Sequence, residues 1–322
     1  MSGTSARVTI VGSGAIGTTL AYSLVMRRAG IELLLCNRDE RKSWAKAFDI
    51  SHCASELGDR SIRSVTVDES AGSDVIVMTA GALPREDGTR SDVIRDNVAI
   101  YRSLVPALAE RSPNAVIVAI TNPVDAMAYA TSRLSGFPRG RVIGSGTELD
   151  GMRLRSFVAD AFGLDQEGLT IDIVGEHGDS MVPLWSRSLY RGRPLAAHLS
   201  ESGADFGCPV REELLRRTRR AGWDIRLAGE HSCFGIAFSA ARIVESIIGG
   251  SAQPRSVSAP LLGELGLNGA WVSLPTRLGR AGVESRQAPT MSDAELDALR
   301  ASAAVVRSQM EEVDRILSSG ER

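Results

Sequence analysis

Arg7-Val-Thr-Ile-Val-Gly-Ser-Gly-Ala-Ile-Gly17 is the stretch that decides the architecture of this chain. The apolar run ending at Val11 reads as a strand buried on both faces, and Ala15 to Arg28 carries apolar residues at helical spacing. Between them lies G-x-G-x-x-G. Gly12 permits the tight turn, Gly14 lets backbone approach a pyrophosphate, and Gly17 lets helix and strand pack closely. Ala15 and Ile16 open the helix, whose unpaired N–H groups and partial positive charge suit an anion. Glycine is common in turns, so the motif takes its meaning from its place between strand and helix. It predicts a dinucleotide-binding unit.

Outward from that unit, strand-like runs alternate with helical patterns: Ile31 to Cys36, a helix from about Asp39 to Cys53, then Val65 to Val67, Val75 to Thr79, Ala115 to Ile120 and a short strand at Val142. Such alternation predicts an α/β chain with a doubly wound parallel (Rossmann) sheet over residues 1–145. From about residue 148 the pattern changes. Helices over 149–162, 211–227, 234–248 and 292–317, a strand over Ile171–Val174 and a hairpin around Ser273–Val283 predict a mixed α/β catalytic domain over 146–322. Ser292 with Glu295 three residues later forms a capping box for the last helix.

Composition excludes several classes. With a net charge of −2 the chain has no basic footprint for nucleic acid or a membrane surface. Lys42 and Lys46 are the only lysines and fall in no recognisable pocket motif, which argues against Schiff-base chemistry. Four scattered cysteines (Cys36, Cys53, Cys208, Cys233) form neither a disulfide framework nor a zinc site, and no metal-ligand set is apparent. No signal segment and no bilayer-length apolar run is seen, so a cytoplasmic location is expected.

At the end of the second strand a carboxylate normally accepts the adenosine ribose hydroxyls. This chain has Asn37 and then Arg38. Loss of the carboxylate removes repulsion against a 2′-phosphate, and a guanidinium binds phosphate in two-pronged fashion. NAD or NADP is therefore expected, with NADP slightly favoured.

Further motifs follow in order: Thr79-Ala-Gly81, Arg90 then Asn97, Thr121-Asn-Pro-Val-Asp125, Gly144-Ser-Gly-Thr147, Leu149-Asp150 with Arg153, Gly175-Glu-His-Gly-Asp-Ser180 and Ser273-Leu-Pro-Thr-Arg-Leu-Gly279. Together they resemble the L-lactate/malate dehydrogenase family, from Val8 to near Ile316. The resemblance implies hydride transfer between a nicotinamide cofactor and a 2-oxo or L-2-hydroxy acid. It places Thr79, Ala80, Gly81, Asn97, Ile120 and Asn122 against the cofactor.

Reduction of an oxo acid also needs a proton on oxygen, and histidine suits that task because its ordinary pKa lies near neutrality. His177 occupies a glycine-flanked turn. Asp150, by resemblance, accepts its other ring N–H and fixes the tautomer. Arg153, one helical turn after Asp150, is expected to grip the substrate carboxylate. Arg90 would arrive on a lid spanning Gly81–Arg95, and Asn122 would bond the same carbonyl oxygen.

Specificity is read near the start of the lid. An ungapped match puts Pro84 there, favouring an apolar side chain as in pyruvate; a shifted match puts Arg85 there, favouring oxaloacetate. Arg85 gives malate a narrow preference over lactate or another 2-hydroxy acid. Ser232 occupies a pocket-lining position, and Glu148 stands where a neutral residue is usual. A short-chain reductase is excluded, since neither Tyr101 nor Tyr129 has a lysine four residues on. A non-catalytic dinucleotide sensor is the alternative of another class. The helix at 39–53 is the expected subunit contact of a homodimer or homotetramer.

Overall fold

A computed structural model describes residues 6–27, 30–58, 61–82, 89–249 and 251–319. The first half runs β1 (Ala6–Val11), α1 (Ala15–Arg27), β2 (Ile31–Cys36), α2 (Glu40–Glu56), β3 (Ser61–Val65), β4 (Val75–Met78), α3 (Arg90–Arg111), β5 (Val116–Ala119), α4 (Val124–Ser135) and β6 (Val142–Gly144). The second half runs α5 (Glu148–Phe162), β7 (Leu169–Thr170), β8 (Ile173–Val174), β9 (Val182–Pro183), β10 (Leu189–Tyr190), β11 (Arg193–Pro194), α6 (Leu195–Glu201), α7 (Cys208–Leu227), α8 (Phe234–Gly249), β12 (Arg255–Leu262), β13 (Asn268–Gly279), β14 (Gly282–Arg286) and α9 (Asp293–Ser318).

Six parallel strands order themselves β3-β2-β1-β4-β5-β6, the doubly wound arrangement expected. The antiparallel strands β12, β13 and β14 continue the same sheet beyond β6, joined through Ser258 opposite Gly144. One sheet therefore carries strands from both halves of the chain. Its central strands β1, β4 and β5 are all but fully buried, because helices cover both faces: α1 and α8 on one, α3, α4 and α9 on the other. A separate apolar cluster centred on Leu154, Ile171, Leu195 and Leu214 fills the space beneath α5 and α7.

Gly17 shows why the opening motif needs its third glycine: a Cβ there would lie 1.9 Å from the Gly12 carbonyl oxygen. At Gly14 a Cβ would meet nothing within 4 Å, so this part of the loop faces open space.

Several predicted boundaries moved. The strand placed at Val65–Val67 is Ser61–Val65, because pairing with β2 sets the register and an edge strand can leave one face polar. Of the run Ile171–Val174 only Ile173–Val174 is strand (β8, paired with β9), while the preceding Leu169–Thr170 (β7) pairs with β10 in a different small sheet. The helix α7 starts at Cys208, ahead of the predicted Arg211, with a proline in its first turn. The predicted capping box is present, Ser292 exchanging bonds with Glu295, and Asp39 also caps α2 by accepting from Lys42 N–H.

The end of the segment read as a lid is helical. Arg90–Arg95 already belongs to α3, started by a Thr89–Asp92 capping box. Pro84 and Arg85 lie outside the described residues, as does the Arg90 side chain. Cys36 and Cys233 are buried while Cys53 and Cys208 are exposed. Among the described residues no helix is long and apolar enough to cross a membrane.

Candidate active site

The histidine turn is held from three directions. Gly175 has φ 88°, a left-handed conformation, and packs so closely that a Cβ would sit 2.6 Å from Ser302 Oγ. Glu176, 1% exposed, accepts from Gln309 Nε2 at 2.8 Å and Ser180 Oγ at 2.5 Å. The backbone N–H of His177 donates to Asp125 Oδ2 at 2.8 Å. With its backbone so anchored, the ring reaches α5, and Nδ1 lies 2.5 Å from Asp150 Oδ2.

Asp150 and Arg153 share one face of α5 as their spacing predicts. Arg153 Nη1 lies 3.6 Å from Asp150 Oδ1, and Nη2 donates to Ser232 Oγ at 2.9 Å. The side chain of Asp150 is 2% exposed, that of Arg153 15% and that of His177 21%. Only the histidine and the guanidinium thus reach the cleft. Burial by itself would depress the histidine pKa. The adjacent Asp150 charge and hydrogen bond, helped by Asp125, outweigh burial and raise it above its ordinary value. An imidazole backed by a carboxylate in this way holds a proton more firmly than a free one.

Glu148 opens α5 and is buried. It accepts from Ser256 N–H at 3.1 Å and Arg255 Nη1 at 3.4 Å, tying the first turn of α5 to β12. This explains the carboxylate at a position where a neutral residue was expected: it has buried cationic and backbone partners.

On the other side of the glycine turn a cavity of about 610 Å³ is lined by Gly12, Ser13, Gly14, Asn37, Thr79 and Gly81. Thr79 Oγ1 donates to the Gly12 carbonyl at 2.9 Å, bracing the turn. Asn97 uses both ends of its amide on backbone, accepting from Ala82 N–H at 2.7 Å and donating to Asn122 O at 2.8 Å. It therefore joins the segments after β4 and β5. Ile120 is buried beside them, and the Asn122 residue itself is exposed. Asn37 Nδ2 donates to Ser13 Oγ, and Arg38 is exposed at the cavity wall. An open glycine loop, a helix N-terminus and a cavity of this size fit a dinucleotide.

Residues 6–144 match the model of the lactate/malate dehydrogenase NAD binding domain, and residues 147–316 match that of the lactate/malate dehydrogenase alpha/beta C-terminal domain. The chain belongs to the lactate/malate dehydrogenase family. An L-lactate dehydrogenase of Thermoanaerobacter sp. (strain X514) is 32% identical over 308 residues, covering 96% of this chain and 99% of the relative. One of Synechococcus sp. (strain JA-3-3Ab) is 33% identical, covering 94% and 98%. Among solved structures, the minor L-lactate dehydrogenase of Enterococcus mundtii superposes with TM-score 0.90 at 28% identity, covering 96% of this chain and 98% of that one. The malate dehydrogenase of Cryptosporidium parvum gives TM-score 0.90 at 27% identity, covering 96% and 99%. The chain is accordingly a lactate/malate dehydrogenase-family oxidoreductase with a nicotinamide cofactor domain.

Two residues of this dehydrogenase-family site were passed over in the sequence. Lys46 sends its ammonium from α2 to the Ser13 carbonyl of the glycine loop. Asp125 is buried against His177, although as the last residue of Thr121-Asn-Pro-Val-Asp125 it was visible only as part of a motif.

Proposed function

We propose that this protein interconverts a 2-oxo acid and its L-2-hydroxy acid, with His177 as proton donor and acceptor. The observation that carries the reading is the Nδ1–Asp150 contact of 2.5 Å with Arg153 on the same helix turn. When bound, the nicotinamide supplies the hydride chemistry. Arg153 holds the substrate carboxylate, Asp150 keeps the imidazole in one tautomer, and Arg90 and Asn122 bear on the carbonyl oxygen. Gly12, Gly14 and Gly17 with Thr79, Ala80 and Gly81 form the cofactor cradle, and Pro84 or Arg85 with Ser232 shape the side-chain pocket.

The lactate names of the relatives favour a monocarboxylate such as pyruvate. Arg85 favours a second carboxylate, as in oxaloacetate. Steady-state kinetics with a panel of 2-oxo acids separates these: a tenfold or greater kcat/KM advantage for either acid assigns the pocket, and turnover of none overturns the class. The same panel run with both cofactors tests the charge pattern at the adenosine end. Asn37 in place of a carboxylate, Arg38 at the wall and Lys46 beneath the loop favour a 2′-phosphate. NADPH is expected to serve at least as well as NADH, and a strong NADH preference removes that part of the proposal.

Subunit contact through α2 belongs to the same proposal. Trp44 and Phe48 are 59% and 52% exposed and stack at 5.1 Å; α1, which packs against α2, and α8, which packs against α1, carry the further exposed residues Tyr22, Met26 and Phe238. A concentration of large apolar side chains of this kind marks a protein contact. Trp44→Asp is expected to shift the protein from dimer or tetramer to smaller species in sedimentation velocity; an unchanged distribution excludes this face.

A further inference from the structure

Asp125 is a buried carboxylate to which the proposed chemistry assigns no task. It is the second residue of α4 and only 1% exposed. Oδ2 accepts the His177 backbone N–H at 2.8 Å, and Oδ1 has no hydrogen-bond partner among the described residues. Facing it are the Ser258 hydroxyl from β12, His177 and the Glu176 carboxylate from the histidine turn. Burying a carboxylate is unfavourable unless something compensates. An asparagine of the same shape would accept the same N–H through its amide oxygen without any buried charge. The hydrogen bond alone therefore does not account for an acid here, and what remains is the effect of its charge on its neighbour.

We infer that Asp125 is a positioning residue for proton transfer: as an anion it anchors the His177 backbone and adds to the stabilisation of the protonated ring that Asp150 provides. Two carboxylates carried by different helices, α4 and α5, then bear on the one histidine, Asp125 through its backbone and Asp150 at its ring. In a poorly solvated site a charge acts over longer range than in water, so Asp125 need not touch the ring. Consistent with this, Asp125 is among the groups that raise the His177 pKa, with Arg153 opposing. Burial lifts the Asp125 carboxyl to about 6, opposed by the facing Ser258 hydroxyl, the His177 backbone hydrogen bond and the His177 charge, with Glu176 adding to the rise. Above about pH 6 the anion supports the imidazolium, and below it that support is withdrawn.

The inference rests on His177 being the proton carrier, and its test separates the two. In the full-length protein, the His177 ring is titrated by heteronuclear NMR, its signal identified by its absence in His177→Asn. Asp125→Asn is expected to lower the ring pKa by at least about half a unit. The alkaline limb of oxo acid reduction, which needs the protonated ring, should move to lower pH by the same amount. So should the acid limb of hydroxy acid oxidation, which needs the neutral ring. KM for the oxo acid should stay put, since Arg153 is untouched. A ring pKa and limbs identical to the parent protein overturn the inference, because a merely structural asparagine swap would leave them so. If Asp125→Asn does not fold, Ser258→Ala gives the same reading: removing the polar group that faces the carboxylate raises the Asp125 pKa and should lower the ring pKa measured near neutrality, and no movement overturns the inference. Activity retained in His177→Asn would instead refute the proton-carrier reading, while the ring titration would still report on Asp125.

Discussion

Replacing His177 with asparagine is expected to lower kcat/KM for oxo acid reduction by about 10²–10⁴-fold, with cofactor affinity unchanged. Asparagine keeps a polar group and a backbone N–H for Asp125, so the turn anchored by Gly175, Glu176 and Ser302 should persist. What disappears is a group able to release and recover a proton near neutrality. The glycine loop and its cavity are built from β1, β2 and β4, away from this turn, so dinucleotide binding should be untouched. Parallel measurement of kcat/KM and of NAD(P)H affinity by fluorescence checks both halves. Activity within a factor of a few of the parent protein would show that the proton comes from elsewhere.

Arg153→Lys is expected to cost roughly 10- to 100-fold in kcat/KM, chiefly through KM, although the charge is kept. The guanidinium is held on two sides, by Asp150 at 3.6 Å and Ser232 at 2.9 Å, which leaves its plane oriented toward the cleft. A lysine offers a point charge on a flexible stem and cannot make two parallel bonds to a carboxylate. Loss of one charge-assisted hydrogen bond is worth about 1.5–3 kcal/mol, which sets the range given. Because the carboxylate is bound equally before and during reaction, the loss should appear mainly in KM. A mutant with unchanged KM and a lowered kcat would place Arg153 in the chemical step and not on the substrate carboxylate. Arg153 also faces the imidazole and opposes its protonation, a cationic contribution that lysine preserves in sign.

Much of the site was legible because its chemistry is encoded locally. Asp150 and Arg153 are one helical turn apart, and any helix brings such residues to one face. The Gly175–Gly178 turn announces a side chain projected from a strand end. The glycine loop needs only β1 and α1 to form. The lid region was less legible: the polar run after Gly81 reads as one flexible segment, yet Thr89 and Asp92 cap a helix that takes in Arg90. Helix propensity and capping over four residues outweighed the general polarity of the run. Lys46 falls in no recognisable motif, and nothing near it in the chain indicates that α2 brings it to the glycine loop.

By itself the sequence determined the alternation of strand and helix, the dinucleotide turn, the capping box of the last helix and the spacing that puts Asp150 and Arg153 on one helix face. Each depends on residues within one element or one turn, where periodicity and side-chain chemistry act directly. Tertiary structure alone decided that the hairpin of β13 and β14 extends the parallel sheet. It alone decided that Glu148 meets Arg255 across 107 residues, that Lys46 reaches Ser13 across 33, and that Asp125 holds His177 across 52. Contacts at such separations leave no local pattern, since they are set by how the two faces of the sheet are covered and by which buried polar groups then require partners.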